Sequence, residues 1–200
     1  QGLLRSGSFD AQIQKIRLVP AEDVTAWFSL SQAGYDLQPP PATQYRGLEL
    51  IRDYLDENGK VIDQITVGDE LQVRLRLRAL DADAVADVAI VDLLPGGFEV
   101  VMGQADPDGD NRGEAPTLAQ SGTTMAVQHE EVREDRVVLY ARAGRSVSEY
   151  HYRIKATAVG EFTVAPAYAE SMYRREVYAQ GGPAEPLKVV SADGDDGAAP

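Results

Sequence analysis

The chain has 200 residues, of which 32 are acidic and 19 basic, so its formal net charge is −13. This length allows one large or two small domains with a buried core, and the negative charge makes nucleic acid and anionic membrane surfaces poor partners. The absence of cysteine excludes disulfides, thiolate metal ligands and a cysteine nucleophile from the chain, and no apolar run reaches the ~18 residues that a membrane span needs.

Residues 1–38 carry two apolar stretches, 13–19 and 24–30, and the second is rich in the β-branched and aromatic residues typical of a strand. Residues 39–46 begin with three prolines, which fix φ and cannot donate to a strand ladder. We therefore predict a semi-rigid linker at 39–46 and a domain boundary before it. Because the chain starts at Gln1 and has no signal peptide, we expect a piece of a longer protein.

Residues 47–190 predict a succession of short strands separated by turns. Residues 70–79 alternate strictly between apolar and polar side chains, which is typical of a sheet with one buried face. The segment 124–132 is ambiguous, and the small, acidic residues 191–200 predict a disordered tail. The predicted fold is an all-β antiparallel β-sandwich. Its strands are expected at 47–55, 64–67, 70–79, 85–93, 98–102, 136–143, 147–158, 162–165 and 187–190.

Residues 90–100 predict a strand, a Pro-Gly-Gly turn and the start of a further strand. Glycine allows a tight reversal with positive φ, and we expect Val91, Leu93 and Phe98 to enter the core beside it. A valine at either Gly96 or Gly97 should then destabilise the domain without removing a catalytic group.

Three carboxylates at alternate positions, Asp106, Asp108 and Asp110, match the opening spacing of a calcium loop. The glycine and glutamate that complete such a loop are replaced by Asn111 and Thr117. We therefore favour an acidic surface loop over a weak Ca²⁺ site, and we expect no cofactor.

The two histidines, His129 and His151, are the ordinary general bases of the chain near neutral pH. The chain contains no Gly-x-Ser-x-Gly elbow and no histidine spacing suited to zinc. An enzyme that uses one of these histidines remains an alternative, but we predict that the chain is not an enzyme.

An aromatic and basic cluster near residue 170 is the first candidate interaction surface, because tyrosine and arginine are common in interface hot spots. The alternative is that its tyrosines pack at an edge of the sandwich. The candidate residues are Tyr168, Met172, Tyr173, Arg174 and Arg175, with Tyr178 nearby.

A row of three arginines, Arg74, Arg76 and Arg78, lies on the polar face of the predicted strand 70–79. Such a row can dock an acidic partner. We favour pairing with acidic residues on neighbouring strands, which is a common cross-strand contact.

Four segments occur in an order and spacing that resemble the C-terminal region of bacterial α2-macroglobulins across residues 47–190. They are 91–99 (VDLLPGGFE), 133–140 (REDRVVLY), 152–157 (YRIKAT) and 164–173 (VAPAYAESMY). Residues 1–38 look like the end of a preceding CUB-type β domain. The resemblance implies a macroglobulin-like, or receptor-binding-like, sandwich for 47–190.

The resemblance also implies a function for the parent protein. Bacterial α2-macroglobulins are broad-spectrum protease inhibitors of the cell envelope that trap proteases after cleavage of a bait region. This chain would be their C-terminal binding and scaffold module, in the periplasm, with proteases and other envelope proteins as partners and a part in evading host defences. The segments resemble more closely the class without a reactive thioester. The alternative is an envelope-assembly or adhesion β-sandwich without inhibitor activity.

Overall fold

The structure, a computed structural model, describes residues 17, 19, 27–29, 41–103 and 117–192. The chain divides into two compact units, Gln1–Asp36 and Leu37–Pro200. Most of residues 1–38, the acidic loop at 106–110 and the tail from 193 onward lie outside the described residues. The CUB-type domain, the calcium-loop alternative and the disordered tail therefore remain predictions.

The described part of the second unit is built from strands and contains no helix. In chain order the strands are β1 (Gln44–Arg46), β2 (Leu48–Leu55), β3 (Gln64–Thr66), β4 (Glu70–Ala79), β5 (Ala84–Leu93), β6 (Phe98–Val101), β7 (Val127–Val132), β8 (Arg136–Gly144), β9 (Ser148–Ala156), β10 (Gly160–Phe162), β11 (Tyr168–Ser171), β12 (Arg174–Gln180) and β13 (Leu187–Val190).

The strands form three sheets. A six-stranded sheet has the order β1-β12-β11-β5-β8-β7, a four-stranded sheet the order β2-β4-β9-β6, and a three-stranded sheet the order β10-β13-β3. All paired strands are antiparallel except β13 and β3. The all-β, antiparallel sandwich predicted from the sequence is therefore confirmed.

The apolar residues at alternate positions of β4 form one side of the core. Leu71, Val73, Leu75 and Leu77 are each at most 1% exposed, whereas the polar residues between them reach solvent. Burial of an aliphatic side chain of this size contributes about 1.5–3 kcal/mol to folding. The opposing side comes from the six-stranded sheet, which contributes Val88, Ile90 and Leu139 among others.

The structure differs from the sequence expectation in several strands. Residues 44–46, predicted to belong to a linker, form β1 and pair with β12. The ambiguous segment at 124–132 ends in the edge strand β7. The strand expected at 162–165 lies earlier, at 160–162, because Phe162 is the last residue that pairs with β13.

The hairpin of β11 and β12 was not predicted as strands. Its buried positions hold the small residues Ala169, Ser171 and Ala179, which have weak strand preference. These residues are buried because β11 pairs with β5 and β12 with β1. Long-range pairing therefore decides the structure of this segment.

The expectation that Val91 and Leu93 enter the core was wrong, although Phe98 is buried as expected. The register of β5 and β8 shifts between Val85 and Val88, where Asp87 adopts a φ of 53°. The extra residue of a β-bulge reverses the faces that the later residues occupy. Buried positions beyond the bulge are therefore Val88, Ile90 and Asp92.

The Pro-Gly-Gly segment does not close a hairpin. It carries the chain from β5 in the six-stranded sheet to β6 in the four-stranded sheet, which makes it a corner of the sandwich. Gly97 has a φ of 76°, and its carbonyl accepts hydrogen bonds from the N–H and hydroxyl groups of Thr157, at 2.8 and 2.9 Å. The ring of Phe162 lies against Gly97 and meets Phe98 edge-on, with ring centroids 6.0 Å apart.

Candidate interaction surface

The tip of the β11–β12 hairpin presents apolar and basic side chains to solvent. Ser171 pairs with Arg174, so Met172 and Tyr173 form the turn between the strands. Tyr173 is 80% exposed and Met172 46% exposed. The N–H of Met172 donates to the carbonyl of Asp87 at 2.9 Å, which ties the tip to the bulge in β5. The tip is thus an anchored projection.

The predicted aromatic cluster is divided between two places on this hairpin. Tyr168 and Tyr178 stack at its base, with ring centroids 6.3 Å apart, and Arg46 lies over the Tyr178 ring at 5.7 Å. The hydroxyl of Tyr178 donates to Gln44 at 2.9 Å. These half-buried tyrosines hold β1 against the hairpin, as the packing alternative proposed. Tyr173 points to solvent at the other end.

Burial raises the pKa of Tyr168 to about 12, and its hydrogen bond to the carboxylate of Glu170, at 2.8 Å, acts in the same direction. The neutral phenol is therefore favoured in the folded state. Tyr168 contributes stability that is complete below pH 10 and is lost as the pH rises toward 12, because the unfolded state releases its proton first.

We expect this dependence to appear in a spectrophotometric titration of the tyrosinate band. Tyr168→Phe should remove one residue's absorbance change near pH 12 and reduce the loss of thermal stability between pH 10 and 12. Glu170→Gln should return the Tyr168 transition toward pH 10, because the carboxylate no longer opposes ionisation. An unchanged titration near pH 12 in Tyr168→Phe would contradict the assignment.

The arginine row of β4 is paired with carboxylates on β2, as favoured from the sequence. Arg74 and Arg76 each place an Nη2 atom 2.9 Å from Oδ2 of Asp53, and Arg78 donates through Nε to Glu49. These pairs are partly solvated, so each contributes about 0.2–1 kcal/mol. The row lies on the four-stranded sheet and the hairpin on the six-stranded sheet, so the structure does not combine the two candidates into one surface.

A buried polar network joins the sheets and was missed in the sequence. Asp92 of β5, only 1% exposed, accepts hydrogen bonds from Arg52 of β2 and from the hydroxyl of Tyr152 of β9, the latter at 2.6 Å. Arg52 also donates to the carbonyl of Ala165 at 2.6 Å and stacks over Tyr54. The one sequence signal for it was an aspartate within the apolar run 90–94.

The electrostatics of this network suit a permanent structural contact. Burial by itself lowers the pKa of Arg52, but the adjacent Asp92 carboxylate outweighs that effect and the pKa is raised. Burial and the same carboxylate raise the pKa of Tyr152. Arg52 stays charged and Tyr152 stays neutral, so both continue to donate to Asp92.

Among the described residues, neither histidine ring is hydrogen-bonded to a nucleophilic side chain. His151 is 7% exposed, and its ring nitrogens lie 3.0 Å from Oε1 of Gln72 and from Oε2 of Glu149. Its backbone N–H donates to Thr123, and its carbonyl accepts from the N–H of Gln120, so it holds the segment before β7 against the sheet. His129 packs against Tyr140 with the rings tilted by 34° and their centroids 5.7 Å apart.

The described residues contain no group of three or more His, Cys, Asp or Glu side chains arranged to hold a metal ion. The loop with Asp106, Asp108 and Asp110 is not among them. In the same part of the chain, no helix is long and apolar enough to cross a membrane.

Comparison with known proteins places this fold in a family. Residues 47–176 match the model of the bacterial α2-macroglobulin MG10 domain. An α2-macroglobulin homolog of Yersinia pestis is 40% identical over 189 residues, which are 89% of this chain and 9% of that protein. The α2-macroglobulin of Pasteurella multocida is 38% identical over 164 residues, 82% of this chain and 8% of that protein.

Among solved structures, the native conformation of Escherichia coli α2-macroglobulin superposes with a TM-score of 0.63 at 25% identity, covering 78% of this chain and 10% of that one. The chain thus spans about a tenth of the length of these relatives. The match to the MG10 model includes β2–β11 in order, with the corner at Gly97 and the tip of the hairpin. The chain belongs to the bacterial α2-macroglobulin family, with its MG10 domain at residues 47–176.

Proposed function

We propose that this chain is the C-terminal binding and scaffold module of a bacterial α2-macroglobulin that traps proteases after its bait region is cut. The family membership supports this proposal, since the relatives carry that name. The observation that carries the binding role is the anchored hairpin tip, which exposes Met172 and Tyr173 beside two arginines. Proteases meet this module through the parent protein.

The hairpin tip has the composition and rigidity of a protein-binding surface. Methionine, tyrosine and arginine are enriched where proteins contact each other, and a tyrosine loses little conformational freedom on binding. The contact between Met172 and Asp87 and the pairing of β11 with β5 hold the tip before any partner arrives. A preorganised surface avoids part of the entropic cost of association.

The inhibitor role is tested on the full-length parent protein. After treatment with several unrelated proteases, we expect cleavage in one exposed region, followed by loss of activity toward large protein substrates. Activity toward small chromogenic peptides should persist, because a trapped protease remains accessible to small molecules. No such cleavage, or equal activity on both kinds of substrate, would refute the inhibitor role.

The binding role of the hairpin is tested by Tyr173→Ala and by Arg174→Glu/Arg175→Glu in the same parent. Because these side chains are exposed, we expect the stability of the isolated 200-residue chain to change by less than about 0.5 kcal/mol. Val159→Ala, at another exposed apolar position, is the matched control. Inhibition should fall at least about tenfold in the tip variants and not in the control, as hot-spot truncation costs above 1 kcal/mol.

A module for envelope assembly or adhesion without inhibitor activity is the second candidate, and the same exposed tip supports it. In that case, tip variants should release a partner protein of the envelope while protease trapping is absent from the parent. The periplasmic location, the part in evading host defences and the class without a thioester remain proposals from the family resemblance. Sequencing the parent gene tests the last of these, through the presence or absence of a Cys-Gly-Glu-Gln motif.

A further inference from the structure

An open cleft of ≈ 1060 Å³ lies beside β3, apart from the hairpin tip. One wall is the connection after β2, residues 56–59, and the other is the turn into β4 with the first residues of that strand, 68–72. The strand β3 itself lines the cleft, and Ser121 and Arg153 complete the lining.

The side of β3 that faces away from β13 is an open strand edge. The backbone N–H of Lys188 donates to the carbonyl of Asp63 at 2.8 Å, and the backbone N–H of Val67 donates to the carbonyl of Val190 at 2.9 Å. Because successive residues of a strand direct their backbone groups to opposite edges, Gln64 and Thr66 face away from β13. The carbonyl of Thr66 already accepts from the N–H of Asp69 at 3.1 Å, so the open groups are those of Gln64 and the N–H of Thr66. Within residues 41–103 and 117–192 no strand pairs with that edge. Such an edge is a template for an added strand.

The charge of the cleft selects what can add there. Among the described residues, its lining includes the carboxylates of Asp56, Glu57, Asp69 and Glu70 and a single guanidinium, that of Arg153. Arg153 already pairs with Glu70 at 2.8 Å. Glu57 and Asp69 are exposed and take part in no side-chain ion pair of the described residues. This surplus of negative charge favours a cationic segment and repels an acidic one.

The strand edge and the charge belong to one surface, with apolar contact from the half-buried Ile62. We propose that this cleft binds an extended, lysine- or arginine-rich peptide segment, which adds as a fourth strand beside β3. Backbone hydrogen bonds to Gln64 and to the N–H of Thr66 supply the register, and the carboxylates select alternate basic side chains. The site is independent of the hairpin proposed above, because the two surfaces share no residue.

The test measures binding of the capped peptide Lys-Val-Lys-Val-Lys to the 200-residue chain by isotope-edited NMR. We expect shifts at residues 56–59 and 64–66, and affinity that falls as salt is added. Two versions of the peptide carry N-methyl groups on alternate amides. The version whose methyl groups fall on the edge facing β3 should lose binding at least about tenfold, because those amides can no longer donate to β3, whereas the version methylated on the opposite edge should still bind. Glu-Val-Glu-Val-Glu should not bind.

A pair of protein variants separates this site from general attraction to an acidic protein. Glu57→Gln/Asp69→Asn should weaken binding about fivefold, as expected for two exposed charge contacts. Glu161→Gln/Glu185→Gln removes the same charge, with Glu161 on β10 at the far end of the same sheet, and should leave binding unchanged. Equal binding of the two N-methylated peptides, or equal weakening of peptide binding by the two double variants, would overturn the proposal. Unchanged stability of the variants is verified by thermal unfolding.

Discussion

Replacing Asp92 with alanine is expected to lower the free energy of unfolding by about 3–5 kcal/mol, the usual cost of breaking a buried ion pair from one side. The substitution leaves the guanidinium of Arg52 buried without its carboxylate and the hydroxyl of Tyr152 without its acceptor. The network joins β2, β5 and β9, so its loss weakens the contact between the two larger sheets.

Denaturant unfolding of the 200-residue chain measures this loss. Asp53→Ala is the matched control, because Asp53 pairs with two arginines on the solvent-facing side of β2, where each contact is worth about 0.2–1 kcal/mol. The double variant Arg52→Met/Asp92→Leu should recover much of the stability, since no unpaired charge remains. Equal destabilisation by Asp92→Ala and Asp53→Ala would show that burial of the network does not determine its contribution to the free energy of unfolding.

Gly97→Ala is expected to lower the free energy of unfolding by about 2–5 kcal/mol. A Cβ at this position would lie 2.4 Å from Cζ of Phe162, and the φ of 76° is unfavourable for a residue with a side chain. Displacing the Phe162 ring adds an overpacking cost of about 1–3 kcal/mol. Valine, with its larger side chain, should be worse, and its melting temperature should fall by about 5–15 °C.

Gly96→Ala is the neighbouring control. A Cβ there would meet Cδ1 of Phe162 at an ordinary distance of 3.4 Å, and Gly96 has no positive φ. We expect a change within about 1 kcal/mol, as for most exposed substitutions. Thermal unfolding of both variants decides the matter: equal stability of Gly96→Ala and Gly97→Ala would refute the role assigned to Gly97. The sequence led us to expect similar damage at both glycines, whereas the structure separates them.

Local pattern predicted much of the sandwich. The strand β4 begins and ends at the predicted residues because its period-two alternation requires a sheet with one buried face. The same pattern identified the arginine row, and the register places Asp53 and Glu49 opposite it on β2. In such segments the side-chain pattern and the backbone agree without help from distant residues.

The side-chain pattern failed to predict the structure where a distant contact or a bulge determines which face a residue occupies. One additional residue at Asp87 turned Asp92 toward the core, and no local signal marked that change of face. The hairpin strands β11 and β12 have small or polar residues at their buried positions, so their strand structure depends on β5 and β1. Aromatic content indicated an interaction cluster there but not that Tyr168 and Tyr173 would lie at opposite ends.

The sequence by itself determined the class of the fold and the family, because the alternation of apolar and polar residues and the order of the four segments are local properties of the chain. The tertiary structure alone decided which charged groups are buried together, which glycine the corner requires and which strand edge stays open. Those features arise from pairing between residues far apart in the chain, such as Arg52 with Asp92 and Gly97 with Phe162. Their energies depend on burial and register, which no single stretch of sequence specifies.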